Sequence, residues 1–194
     1  MEYNCRTTQW NPFCVCFDSF ECLIMIICAS IEMASPLKPG KRPAESQAEM
    51  TIIMLPTDAN PKGNVFGGVI LKHVDLIAGL VAKRHSGRAN TVTASIDRMT
   101  FLKPVFIGNA LILTARLNYV RKSSMEVEVT VMSEDLDDGT RIHAGTAFVT
   151  MVALDKYGKA TEVPQIILDS AEEKSRFKEG ELRMLSRLKE AGRI

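Results

Sequence analysis

NPKGNVFGGVILKHVDLIAGLVAKRH, residues 60–85, decides how the chain is read. The adjacent glycines Gly67 and Gly68 allow close backbone approach where a helix from about Phe66 to Arg84 begins. Lys83, Arg84 and His85 suit the negative end of its dipole, and Gly87 supplies a stop. Apolar residues recur on every side of this helix rather than in one stripe, so it must be covered all round. In the middle of it stands one carboxylate, Asp75.

Beyond the helix the periodicity changes from helical to two. TVTASIDRM (91–99) sets Val92, Ala94 and Ile96 against Thr91, Thr93, Ser95 and Asp97. ALILTARLNYV (110–120) places Leu111, Leu113, Ala115, Leu117 and Tyr119 on one face. RKSS (121–124) turns the chain into MEVEVTVM (125–132), with Met125, Val127, Val129 and Val131 facing one way and Glu126 and Glu128 the other. DLDDGT (135–140) carries the Asp-Gly hairpin signal, and RIHAGTAFVTMVAL (141–154) is a long last strand. Upstream, MTIIML (50–55) suits a short strand, and PTDANPKGN (56–64) is turn chemistry. The predicted class is α+β: a curved antiparallel sheet wrapped around one long apolar helix. Such a sheet leaves edges and an open flank, so a second copy is expected to pair with it.

Three divisions follow. Residues 1–48 form an N-terminal extension, read before Met33 as an upstream addition or misassigned start, and over 34–48 as a flexible lead-in. Residues 49–160 form the domain. Residues 161–194 form a tail whose segment 170–192 is expected to be a solvated helix laid on the surface or on a neighbouring subunit. Its mixed charges nearly cancel, which disfavours nucleic acid.

The composition, 46% hydrophobic and 24% charged, is that of an ordinary globular chain. The 24 Lys and Arg against 23 Asp and Glu create no global basic field for nucleic acid or an anionic membrane. All five cysteines lie in the first 28 residues, so the main body has neither a disulfide framework nor a cysteine nucleophile. The apolar stretch 23–31 is too short to span a membrane, and acidic residues before it suit a signal peptide poorly.

Asp75 is the first candidate for chemistry. Ala78 and Gly79, one turn on, leave room beside it, and an ionised carboxylate in a wrapped apolar helix is costly unless paired or functional. The alternative is a helix aspartate that points into solvent or pairs with Lys72. Asn64 is either a plain helix cap or a residue aimed into a site, where the Gly67 and Gly68 amides form an oxyanion hole. Asn64 and Asp75 are eleven residues apart, on the order of 16 Å along a helix, so they cannot serve one atom within one chain. If they act together, two subunits build the site. Arg121, Lys122, Ser123 and Ser124 suit phosphate oxygens or simply a soluble hairpin, and Arg84 with His85 makes a second basic spot. His73 lies nearly opposite Asp75 on the helix, and His143 has no placed partner. The chain lacks the G-x-S-x-G elbow, the G-x-x-x-x-G-K-[ST] loop and the H-E-x-x-H helix.

Four blocks in order, LPTDANPKGNVFGGVILKHVD (55–75), NTVTASIDRMTFLKPVFIGN (90–109), RKSSMEVEV (121–129) and VPQIILDSAEEKSRFKEG (163–180), resemble the acyl-CoA thioesterases of the hot-dog fold. The likeness covers about residues 49–182 and falls in the branch that spans short bacterial enzymes and two-hot-dog animal cytosolic ones. It implies hydrolysis of fatty acyl-CoA to free acid and CoA, with Asp75 as general base or nucleophile and Asn64 acting from the partner hot dog. Gly67 and Gly68 would hold the carbonyl oxygen. The CoA phosphates would meet Arg121, Lys122, Ser123 and Ser124, with Arg84 as a further contact. The expected assembly is a homodimer, built into a hexamer as a trimer of dimers, in the cytoplasm. No metal or cofactor is expected beyond the CoA of the substrate. Two alternatives stand beside this reading: an enoyl-CoA hydratase, which pairs an aspartate with a histidine five residues on where this chain has Leu80, and a non-catalytic acyl-CoA-sensing module.

Overall fold

The structure, a computed structural model, describes residues 39–87 and 90–192. The sequence expectations for the first 38 residues lie outside it. Five strands, β1 (Ala48–Ile53), β2 (Thr91–Phe101), β3 (Ala110–Arg121), β4 (Ser124–Glu134) and β5 (Arg141–Ala153), form one sheet in the order β1-β3-β4-β5-β2. Every pairing is antiparallel. Helix α1 (Gly67–Ser86) follows β1, and α2 (Ala171–Glu190) follows β5. Because β1 and β2 occupy opposite edges, the chain between them must cross the full width of the sheet. Helix α1 is that crossing, which is why it lies over the inner face. Gly87, at φ 61°, ends it in the left-handed conformation that glycine adopts without strain, and its amide reaches back to the Lys83 carbonyl.

The core is the expected one. Val74, Ile77, Ala78, Val81 and Ala82 of α1 pack on Leu111, Leu113, Ala115, Leu117, Val127, Val129, Val131, Val149 and Met151. Full burial of each larger aliphatic side chain contributes about 1.5–3 kcal/mol relative to exposure.

Several expectations are corrected. The helix is not covered all round: Leu76 is 53% exposed and Leu80 38%, because one five-stranded sheet reaches only one side of it. Strand β1 starts two residues earlier than predicted and stops at Ile53, where Leu55 and Pro56 lead into a 3₁₀ turn at Pro56–Asp58. The lead-in expected to be flexible is packed from Lys41 onward, with Ser46 buried and Lys41 bonded to Gln165 and Ile167. Tyr119 does not continue the inward face of β3. A bulge at Asn118 pairs Leu117 with Val127 and then Tyr119 with Glu126. The extra residue reverses the alternation, so Val120 enters the core and Tyr119 turns outward against Phe177, with ring centroids 4.8 Å apart.

Strand β2 also breaks its alternation, with register shifts at Ala94 and Asp97. Its partly buried residues are Thr91, Ser95 and Met99, while Val92, Ala94 and Ile96 stay exposed. The outer face of β4 is not solvated either. Helix α2 covers it, capped at Ser170 by the reciprocal Ser170–Glu173 bonds, with Arg176 bonded to Glu128 and Arg183 to Glu126. Gly180 makes this close packing feasible, since a Cβ there would lie 2.7 Å from the Tyr119 Cβ.

Candidate active site

Asp75 sits half-buried midway along α1, at the border of the uncovered Leu76 and Leu80 stripe. Its partner is a hydroxyl: Thr93 Oγ1 donates to Asp75 Oδ1 at 2.5 Å. Asp75 forms no ion pair with Lys72, and none with any other cation among the described residues. The first bulge of β2 aims Thr93. Thr93 pairs with Met151, which faces the core, and the next paired residue, Ser95, faces Thr150 on the other side. Gly79, a turn beyond Asp75, keeps the space open, because a Cβ there would touch only the Met151 methyl, at 3.8 Å. Ala78, expected beside the carboxylate, is sealed in the core instead. Thr93 was legible only as one residue of an alternating strand; the bulge that singles it out leaves no mark in the sequence.

At the start of α1 a cleft of about 380 Å³ is lined by Asn60, Asn64, Gly67, Ile70, Phe101 and Pro104, among others. The Phe101 ring lies against Gly67 and the Phe66 ring over Gly68, where added Cβ atoms would meet ring carbons at 3.3 and 2.4 Å. No side chain caps this helix end. The amides of Gly67 and Gly68 thus stay available to a ligand at the positive pole of the helix. Asn64 is held by its backbone, which bridges Phe106 and bonds Asn60. Asn60 is the more constrained side chain. Its Oδ1 accepts from the Lys62 and Asn64 amides at 2.8 and 3.3 Å, which leaves its NH₂ as the free donor. The sequence places Asn60 only in a run of turn residues. Asp75 does not line this cleft: eight residues of helix, about 12 Å, separate it from Gly67. One chain therefore brings Asp75 to Thr93, and Asn60, Asn64 and the glycines to each other, but does not bring the two groups together.

The basic residues gather at the other end of α1. Arg121, Lys122, Ser123 and Ser124 form the β3–β4 turn, with Lys122 at φ 33°. Ser124 Oγ donates to the Arg121 carbonyl at 3.3 Å, and Arg121 reaches the Met184 sulfur at 3.6 Å. Arg84 donates to the Gln47 carbonyl at 2.7 Å, and Lys41 donates to the Arg84 carbonyl at 2.8 Å. Three consecutive residues join these groups: Val163 bonds Lys122, Pro164 bonds His85, and Gln165 bonds Lys41. His85 is not part of a basic surface spot. It is fully buried, its Nε2 donates to the Pro164 carbonyl at 2.8 Å and Ser46 Oγ donates to its Nδ1 at 3.3 Å; burial holds its pKa below the usual histidine value. His73, half-buried, is lowered for the same reason, and His143 contacts Thr146. No group of three or more potential metal ligands occurs among the described residues, and no helix among them is long and apolar enough to cross a membrane.

Residues 62–140 match the model of the thioesterase superfamily. An acyl-CoA thioester hydrolase of Bacillus subtilis is 41% identical over 129 residues, which are 66% of this chain and 74% of the relative. The cytosolic acyl coenzyme A thioester hydrolase of Rattus norvegicus is 37% identical over 142 residues, 72% of this chain; the chain spans 37% of that relative's length. Among solved structures, an apo-hexameric acyl-CoA thioesterase superposes with a TM-score of 0.75 at 37% identity, over 79% of this chain and 97% of the other. The acyl-CoA hydrolase of Staphylococcus aureus, in complex with butyryl coenzyme A, coenzyme A and coenzyme A disulfide, gives 0.73 at 33% identity, over 79% and 93%. Variants of that enzyme have also been solved with alanine in place of an aspartate, of an asparagine fifteen positions before it, and of a threonine seventeen positions after it.

Proposed function

The chain belongs to the thioesterase superfamily, and we propose that it hydrolyses fatty acyl-CoA to free fatty acid and CoA at sites shared between two copies of itself. The observation that carries this reading is the hydrogen bond from Thr93 to Asp75 beside an uncovered apolar surface. The relatives' names and the family match agree with it. Asn60, fifteen residues before Asp75, takes the asparagine role in this reading ahead of Asn64, and the spacing in the Staphylococcus aureus variants supports that choice. Thr93, eighteen residues after Asp75, is taken as the counterpart of that enzyme's threonine because its hydroxyl is the one that bonds Asp75.

The chemistry follows from the groups. Asp75, held by Thr93, takes a proton from water as the water oxygen attacks the thioester carbonyl. Negative charge develops on the carbonyl oxygen, where the Gly67 and Gly68 amides and the Asn60 NH₂ of the second copy donate to it. Collapse breaks the C–S bond, and the proton held by Asp75 passes to the departing CoA thiolate. Direct attack by Asp75 on the carbonyl, with water cleaving the resulting anhydride, uses the same placement. The exposed Leu76, Leu80, Val92 and Ile96, together with the unpaired edge of β2, form the face on which the second copy docks. A dimer is the minimal unit, and the hexameric neighbour supports further assembly. Lys41, Arg84, Arg121, Lys122, Ser123 and Ser124 hold the CoA phosphates. A cytoplasmic location accords with the rat relative's name.

Release of CoA from acyl-CoAs, followed with a thiol reagent, is the test. Asp75→Asn is expected to lower kcat by about 10²–10⁴-fold with KM little changed. The shared site is tested by mixing. Asp75→Asn and Asn60→Ala are each nearly inactive alone, yet co-refolded they regain about a quarter of wild-type turnover, since half the dimers then carry one intact site. No recovery on mixing rules out sharing.

A further inference from the structure

Strand β2 carries Thr93, yet it is the least supported strand of the sheet. Among the described residues its one strand partner is β5, and that ladder is broken twice within five residues, at Ala94 and at Asp97. Each bulge leaves a residue unpaired and lets the strand bend. A slip of one residue would present Val92 or Ala94 to Asp75 in place of Thr93, and neither has a hydroxyl. Something beyond the ladder must fix this stretch.

The second bulge is where it is fixed. The Asp97 carboxylate accepts from Ser95 Oγ at 2.5 Å, from Thr150 Oγ1 at 3.1 Å and from the Arg187 guanidinium of α2. Thr150 is the β5 neighbour of Met151, the residue that Thr93 faces, so both bulges are anchored on adjacent residues of one strand. The Arg187 and Asp97 side chains are mostly covered, at 25% and 17% exposed. Helix α2 does not need this pair to dock: Arg176 on Glu128, Arg183 on Glu126, Phe177 on Tyr119 and the buried Met184 hold it to the middle of the sheet. Arg187 is the α2 cation that reaches past them to the strand bearing Thr93.

We infer that Arg187 is a positioning residue for turnover: by fixing Asp97 at the second bulge of β2, it holds the strand in the shape that aims Thr93 at Asp75. The C-terminal helix then belongs to the working parts of the enzyme and is not merely a cover for the outer face. This rests on the role proposed above for Asp75.

The test combines kinetics with a mutant cycle. Arg187→Ala is expected to lower kcat about tenfold while KM stays within about twofold, the pattern of a misaimed group rather than of lost binding. Arg187→Lys, which keeps the charge, recovers most of that loss. Arg176→Ala removes a comparable arginine that grips β4 instead, and leaves kcat near wild type. In a Thr93→Val background, Arg187→Ala adds little, because both act on one contact. Asp97→Asn gives the same kcat loss and the same non-additivity with the fold intact, and serves where Arg187→Ala fails to fold. Equal losses in Arg187→Ala and Arg176→Ala, or full additivity with Thr93→Val, overturn the inference. Asp75→Asn run alongside separates the two levels. If it turns over normally, the Asp75 reading falls and this inference with it; if it is slow while Arg187→Ala is fast, only the link through Arg187 falls.

Discussion

On the outer face of the sheet, Glu126, Glu128 and Asp97 each meet an arginine of α2, whereas on the inner side Asp75 meets the hydroxyl of Thr93 and no cation among the described residues. A carboxylate gripped by a guanidinium has its lone pairs occupied and its charge cancelled. Asp75 has one oxygen bonded to a neutral hydroxyl and lies beside the exposed Leu76 and Leu80. The acids that hold the molecule together and the acid proposed to act on a substrate thus differ in their partners and not simply in burial, since Glu126 is more buried than Asp75. Asp75→Asn, with the largest expected effect, should remove activity and leave stability near wild type.

Breaking the outer side should do the reverse. Glu126 is 2% exposed, and Arg183, which also lies over the Phe148 ring at 3.9 Å, is its partner. Arg183→Met keeps much of the packing but strands a buried charge, which is expected to cost about 3 kcal/mol. The double variant Glu126→Gln/Arg183→Met should recover most of that in urea unfolding. Turnover per folded molecule should stay within about twofold in both, because Arg183 bonds Glu126 and Glu179 rather than Asp97 of β2. A single variant as stable as wild type would mean that water already reaches Glu126.

The glycines at the two helices sharpen the contrast further. In Gly180→Ala the new methyl would lie 2.7 Å from the Tyr119 Cβ and 2.9 Å from Glu126 Oε1. The Tyr119 Cβ is fixed to the backbone, so α2 itself must shift, at an expected cost of about 1–3 kcal/mol less the helix-forming gain of alanine. In Gly68→Ala the clash, at 2.4 Å, is with the Phe66 ring, which is exposed and can swing aside. That variant should melt within a few degrees of wild type yet turn over more slowly, because the methyl and displaced ring crowd the amides at the helix start. Melting curves and kcat for the pair decide it: equal loss of stability in both would remove the distinction.

How far the sequence could be read follows the same division. The helix limits, the two hairpins and the core faces of β3 and β4 were legible because they depend on local period and turn chemistry, as at Val127, Val129 and Gly87. Asp75 was legible as a charge where none belonged. Thr93 and Tyr119 were not, because the bulges at Ala94 and Asn118 reverse the alternation without any glycine or proline to mark them. Nor was the pairing of Arg187 with Asp97, ninety residues apart. Asn64 drew attention as the residue next to the glycines, while Asn60 was absorbed into a run of turn residues. Position 85 misled for the opposite reason: a histidine after Lys83 and Arg84 reads as surface charge until the fold encloses it.

That enclosure gives the smallest predicted effect. In the unfolded chain His85 titrates near 6.5. In the fold its pKa is lowered chiefly by burial, with a further push from Lys41; the bond to the Pro164 carbonyl and the nearby Glu45 offset this in part. Just below the unfolded value, the unfolded chain therefore binds a proton that the native state refuses. The contribution of His85 is complete above about 6.5 and declines as pH falls from there toward the folded value. His85→Gln can still donate to Pro164 but does not titrate, so its melting temperature should fall less than wild type between pH 7 and 5. Some slope remains, because His73 is shifted in the same direction. Parallel curves for the two proteins would mean that the imidazole takes up its proton within the fold as readily as outside it, and that the Ser46–His85–Pro164 chain is open to water.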